Sequence, residues 1–438
     1  MSIASYIFCG WVDYRFVLIL FGSTIVNYSF GKLVTHGFKN RTLYLWISLL
    51  LNVGVWVIFR YNNVFGITIH NDIAVNKLLS DIVLPVGFSF YMLMHMSYVW
   101  DVYRGKEKAS SLVDYALYAG FFPLQLAGPV ERAGHMLPQI RRKRFFAYAQ
   151  AVAGGRLIIW GMFKKVVIAD SIAGIIDVIF NAPGSYGAFS LIVAAIGFSF
   201  WLYGSFSGYA DIALGIAKLF GFDISVNFYY PFFAKDPITF WQRWFRTFSY
   251  WLKDYVYLPL GGSKRGVTCT SINIALVFMA GGLWYGANLS IMTGALIEAF
   301  GVVVFMLLQL RWGNVFSTGV MRYLSGLITF SWITFGWIFL RYSDLSASLK
   351  YIKRIITNSI DFPAQYLSLP YGATILNYII PLILAEWWMS RSGQVVRMPR
   401  NKLIRYIMYY ILVVACYFLF DQNDNYFVYT VFKIPGSL

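Results

Sequence analysis

Charge is scarce in this chain of 438 residues: Asp, Glu, Lys and Arg together make up 13% of it, against about 25% in a soluble globular domain. That shortage excludes an ordinary cytosolic enzyme and a disordered chain. Cysteine is scarcer still. Cys9, Cys269 and Cys416 are odd in number and far apart, so neither a secreted disulfide scaffold nor a CxxC metal framework can be read from them. Histidine occurs only as His36, His70, His95 and His135, too few and too dispersed to suggest a metal site. Internal repeats, low-complexity tracts and long linkers are also missing. Residues 1–438 are therefore expected to form a single membrane domain.

What the chain has in quantity is apolar surface: 59% hydrophobic residues, 20% aromatic residues and a mean hydropathy of +0.61. No single water-surrounded core could hide so much, so the solvent must be lipid. A spanning helix needs about 20 mostly apolar residues. Such runs recur at Phe16–Val34, Leu43–Phe59, Leu191–Tyr203, Ile272–Met279 continued past a glycine pair, Ile291–Leu310, Leu324–Leu340, Ile375–Trp388 and Leu403–Phe420. Two more, Ile82–Trp100 and Tyr115–Val130, are interrupted by Pro85, Gly87, Pro123, Gly128 and Pro129. Broken or re-entrant backbone of that kind survives at membrane depth only where protein or a wet cavity satisfies it. The predicted fold class is all-α and polytopic, with about ten or eleven spanning helices plus re-entrant and interfacial helices around a central tunnel.

Asp13 and Arg15 precede the first run and no small-residue cleavage pattern follows it, which argues for a retained helix rather than a signal peptide. The net charge of +17 would suggest nucleic acid as partner of a soluble protein. Here the basic clusters at Arg104–Lys108, Arg141–Arg144, Lys164–Lys165, Lys264–Arg265, Lys350–Arg354 and Arg397–Arg405 lie between apolar runs, as cytoplasmic loops do under the positive-inside rule. Membrane lipid is the expected partner, and nucleic acid is not.

Between Ser205 and Gly266 the chain changes character. Asp211, Lys218, Asp223, Lys235, Asp236, Arg243, Arg246, Lys253 and Asp254 alternate there with Phe, Trp and Tyr. The stretch is too polar to cross a bilayer and too aromatic for a solvated loop, which places it at the interface. Asp236 followed by Pro237 suits a helix start, and Trp241, Trp244, Phe248, Trp251 and Tyr255 then recur every three or four residues as one aromatic stripe.

Several motifs in this region resemble one family. The runs SGYADIALGIAKLFGF, NFYYPF, ITFWQRWFRTFSYWLKDYVYLPLGG and GGLWYGAN are similar to the signature region of the membrane-bound O-acyltransferase (MBOAT) superfamily, in its bacterial branch of alginate O-acetyltransferases and teichoic acid D-alanyl transfer proteins. The resemblance extends to residues 84–105, 114–139, 157–170 and 334–341, in order along nearly the whole chain. It implies transfer of an acyl group, acetyl in the first instance, from a cytoplasmic thioester to a hydroxyl on an extracytoplasmic polysaccharide. The implied donor is coenzyme A or a carrier protein acting as substrate, with no tightly bound cofactor. It also implies a multi-pass protein of the bacterial inner membrane, and a partner among extracytoplasmic acyltransferases or polysaccharide export proteins.

An acceptor hydroxyl is a poor nucleophile until a base takes its proton, and histidine suits that role at neutral pH. The family carries one histidine in an RWH motif and another in an LWHG motif. Here those positions hold Phe245, in Arg243-Trp244-Phe245, and Tyr285, in Leu283-Trp284-Tyr285-Gly286. Phenylalanine has no acid or base chemistry, and an unperturbed phenol near pKa 10 is ionised in about one molecule in a thousand at pH 7. Tyrosine could still donate a hydrogen bond to an oxyanion. Asn273 and Asp254 match polar positions of the family, and Trp241, Arg243, Trp244 and Trp284 are expected to bind substrate. The catalytic set implied by the resemblance is thus Tyr285, Phe245, Asn273 and Asp254. The double substitution leaves a second reading open, a catalytically inactive member serving as a membrane scaffold or acyl-binding partner. A transporter, suggested by the broken segments near Pro85 and Pro123, is the third.

Overall fold

The structure, a computed structural model, describes residues 1–11, 13–36, 39–61, 87–125, 128–313, 318–360 and 372–420. Helix dominates it, and no strand occurs among the described residues. That is what lipid demands, since a helix satisfies its own backbone while an open strand does not. The all-α, polytopic expectation is borne out.

Contacts divide the described residues into two compact units: those of 1–155 with 213–225, and those of 156–212 with the described residues from 226 onward. In the first, α1 (Tyr14–His36), α2 (Arg41–Tyr61) and α3 (Phe88–Tyr103) pack on one another. Their buried polar side chains pair off. Asn27 and Asn52 exchange amide hydrogen bonds of 3.1 and 2.7 Å, and His95 meets the Tyr115 hydroxyl at 2.5 Å and Ser23 Oγ at 3.3 Å. His95 is therefore a satisfied core group. Pro85 and His70, singled out in the sequence, lie outside the described residues.

The second unit is built from α4 (Ala188–Leu219), α5 (Pro237–Arg243), α6 (Arg246–Leu252), α7 (Gly266–Tyr285), α8 (Leu289–Trp312), α9 (Gly319–Arg341) and α10 (Gly372–Ser390), with shorter turns between them. Residues 188–212 of α4 belong to this unit. α7 packs along α8 and α8 along α9, with α5 against both α8 and α9. Large apolar side chains point outward, among them Phe300 (60% exposed), Leu310 (66%) and Ile328 (68%). Such a surface is at equilibrium in hydrocarbon, not in water.

Among the described residues, six helices are long and apolar enough to span: α1, α2, α4, α7, α8 and α9. Apolar runs outnumber these because some are short and interior. α3, at 16 residues, is buried along most of its length, and the described residues of Tyr115–Val130 form the short helices Leu112–Gly120 and Phe122–Gln125. Hydropathy cannot tell a lipid-facing run from one surrounded by protein. For the same reason Lys164–Lys165 is no loop signal. Both lysines are buried in a π-helical turn, Phe163–Asp170, where Lys164 pairs with Asp211 at 2.6 Å and Lys165 with Asp170.

Candidate active site

The aromatic segment folds as two short helices rather than one. Asp236 caps α5, its carboxylate accepting from the Thr239 N–H at 2.6 Å, and Pro237 sits in the first turn, as the sequence suggested. The single stripe does not survive, because Phe245 takes φ 43° and ψ 53°, a left-handed conformation rare for a bulky L-residue. Local contacts hold it there. The Tyr229 N–H donates to the Arg243 carbonyl at 3.0 Å and the Arg246 N–H to the Asn227 carbonyl at 2.8 Å. Asn227 Oδ1 accepts from the Thr247 N–H at 3.3 Å and its hydroxyl at 2.6 Å. The buried Phe245 ring packs among Phe206, Phe228, Phe248 and Trp284. Aromatic packing and a clamped backbone together offset the strain of the turn.

α7 and α8 form a helical hairpin. α7 ends at Tyr285, and after a short turn Asn288 caps α8 by accepting from the Ile291 N–H at 2.8 Å. Gly282 permits the close approach, since a Cβ there would lie 3.0 Å from the Ala295 Cβ. Around this hairpin, α4, α5, α6 and α9 contribute most of the rest of the wall of a cavity of about 260 Å³.

Four of the residues expected at the site line that cavity: Trp241, Trp244, Phe245 and Tyr285. The indole of Trp244 is a hydrogen-bond partner of the Tyr285 hydroxyl and lies 4.6 Å from the Trp337 ring. The other four are elsewhere. Trp284 stands behind the wall, its ring 5.8 Å from Phe245 and 4.7 Å from Phe248. The Asn273 amide donates to the Gly262 carbonyl at 2.9 Å and the Leu260 carbonyl at 3.5 Å, so it pins the glycine turn that precedes α7. Asp254 belongs to the π-helical turn Lys253–Tyr257, and Arg243 reaches the Phe233 carbonyl at 3.5 Å. Partial burial of Arg243 pulls its pKa below the ordinary value. Neither Asp254 nor Arg243 lines the cavity.

The one acidic residue of the wall is not among the sequence candidates. Glu298 is 3% exposed and lines the cavity from α8. Neither of its carboxyl oxygens has a hydrogen-bond partner among the described residues. A signal was available, because Glu298 is the sole acid in the 24 residues of α8, and an ionisable group inside an apolar span is a functional candidate by default.

Residues 7–343 match the model of the membrane-bound O-acyltransferase (MBOAT) family. The chain belongs to this family. Among its relatives, the probable alginate O-acetylase AlgI of Pseudomonas aeruginosa is 32% identical over 359 residues, covering 80% of this chain and 67% of the relative. The peptidoglycan O-acetyltransferase of Helicobacter pylori is 30% identical over 386 residues, 81% of this chain and 73% of the relative. The teichoic acid D-alanyltransferase of Bacillus subtilis is more distant, at 24% over 265 residues, 57% of this chain and 67% of the relative. This MBOAT member is accordingly a membrane protein whose relatives carry acyl-transfer names and whose cavity gathers residues from the family's two motif positions.

Proposed function

We propose that this protein is an O-acyltransferase of the bacterial inner membrane, moving an acyl group, acetyl in the first instance, from a cytoplasmic thioester of coenzyme A or a carrier protein to a hydroxyl of an extracytoplasmic polysaccharide. One observation carries this: the two motif positions, Phe245 and Tyr285, line one cavity in a chain whose relatives are named as acetyl and alanyl transferases. A tyrosine there is a donor suited to the oxygen of an acyl carbonyl as it gains charge, a role commonly worth about 10²- to 10³-fold in rate. Aromatic and aliphatic side chains make up most of the wall, and exclusion of water from such a site would favour transfer over thioester hydrolysis.

The test uses membranes from cells with and without the protein, radiolabelled acetyl-coenzyme A, and alginate or peptidoglycan fragments as acceptors. Label in the acceptor that depends on the protein, reduced by Tyr285→Phe, is the expected result. Activity indifferent to Tyr285→Phe would move the donor role elsewhere. Absence of label on every acceptor would sink the reading. Phe245, a ring without acid or base chemistry in a closed aromatic cluster, favours the second reading of an inactive scaffold. Activity that appears only when Tyr285→His and Phe245→His are combined would establish that one.

A further inference from the structure

Glu298 is the feature of this cavity that neither the motif positions nor the packing explain. Ile291, Gly294, Ala295, Glu298 and Val302 line the cavity from one face of α8, the three- and four-residue spacing of a helix. Glu298 therefore stands about 10 Å along the helix axis from Ile291, at 1.5 Å per residue. Its carboxyl lies against α9 at Gly336, where an added Cβ would come within 2.2 Å of Oε1 and 2.9 Å of Cδ. A side chain at position 336 would force the carboxyl to swing aside. A buried carboxyl without a hydrogen bond is costly, and a site shaped to keep it in that state calls for a partner that arrives from outside the protein.

The chemistry of the cavity says which partner. Ester formation at a hydroxyl requires an acceptor for the hydroxyl proton and a donor for the acyl carbonyl oxygen. Donors are present in Tyr285 and in Trp241, whose buried indole Nε1 has no hydrogen-bond partner among the described residues. Phe245 offers neither function, and Glu298 is the one acidic residue in the cavity wall. Resting on the acyl-transfer reading, we propose that Glu298 is the general base of this protein, filling the role for which the chain has no histidine at either motif position. The Glu298 carboxyl, whose oxygens are covered beside Gly336, turns into the cavity and in its ionised form accepts the hydrogen bond of the acceptor hydroxyl. As the hydroxyl oxygen attacks the acyl carbonyl, the O–C bond forms, the C–S bond of the thioester breaks, and the proton passes to Glu298. Glu298 then returns it to the departing thiolate, so ester and thiol leave and the carboxylate is restored.

Glu298→Gln keeps the size and shape of the side chain but cannot take a proton. With radiolabelled acetyl-coenzyme A and alginate or peptidoglycan fragments, the whole protein in proteoliposomes should lose about 10²- to 10⁴-fold in kcat on this change, with the KM for acetyl-coenzyme A unaltered. Glu298→Asp should recover part of the rate, which a structural role would not require. Formate added to Glu298→Ala should restore some transfer by supplying a carboxylate to the vacated space. Wild-type protein that transfers label while a folded Glu298→Gln variant stays within a few-fold of it overturns the role of Glu298 and leaves the acyltransferase reading intact. Wild-type protein that labels neither acceptor overturns both.

Discussion

Two regions of the second unit bury acidic side chains, and they treat them in opposite ways. Around the π-helical turn Phe163–Asp170, Lys164 meets Asp211 at 2.6 Å and lies 5.4 Å from the Tyr203 ring, while Glu386 of α10 accepts from the Tyr203 hydroxyl at 2.5 Å. Every charge there has a neighbour placed to meet it. In the cavity beside Tyr285, Glu298 has none among the described residues. A buried charge that is paired by the protein holds the protein together; one left for an incoming group can do chemistry. The difference teaches that burial of an ionisable residue in a membrane helix is not by itself a functional sign. What separates the two is whether the fold has already supplied the partner.

The largest effect that would sharpen this contrast is on stability. Lys164→Met removes the partner of Asp211 and should cost about 3–5 kcal/mol, the usual result of stranding a buried charge, seen as a lowered unfolding temperature in detergent. Glu298→Gln exchanges one unpartnered buried polar group for another and should unfold within about 1 kcal/mol of the wild type; a loss as large as that of Lys164→Met would erase the contrast. Next comes Asn273→Ala, which frees the Gly262 carbonyl and should cost about 1–3 kcal/mol while leaving the transfer rate of the folded fraction unchanged. A collapse in kcat at full stability would instead put Asn273 into the chemistry.

The smallest effect concerns His135. Its Nδ1 lies 2.8 Å from Glu131 Oε2, a carboxylate that also receives the Ser225 N–H. The Glu131 hydrogen bond raises the histidine pKa above its ordinary 6.5. A raised pKa makes the contribution fully present below pH 6.5 and loses it as pH rises through the folded-state value. Stability curves of wild type and His135→Gln should therefore differ in acid and converge in alkali. Curves that run parallel would mean that the pair does not titrate with folding.

Much of the site was legible in the residue order because it is local. Asp236-Pro237 signalled a helix start and the structure places one there. The two motif positions, 40 residues apart in the chain, are both cavity residues. The aromatic stripe misled for a physical reason. Periodicity reports side-chain type, whereas the left-handed turn at Phe245 is imposed by Asn227 and the surrounding rings. Asn273, a plausible catalytic amide from its setting in an apolar run, is occupied by the carbonyls of a glycine turn, and no spacing rule shows which backbone folds against it.

Composition alone determined the solvent and the shortage of histidine, because each is a sum over residues, and the length of the apolar runs determined the helical class, because a run of about 20 apolar residues spans lipid only as a helix. Tertiary structure decided which charges are spoken for. Lys164 and Glu298 sit in similar apolar sequence, yet α4 brings Asp211 to one while α9 offers only the bare backbone of Gly336 to the other. Whether a buried group is satisfied depends on atoms distant in sequence, and at membrane depth there is no water to make up the difference.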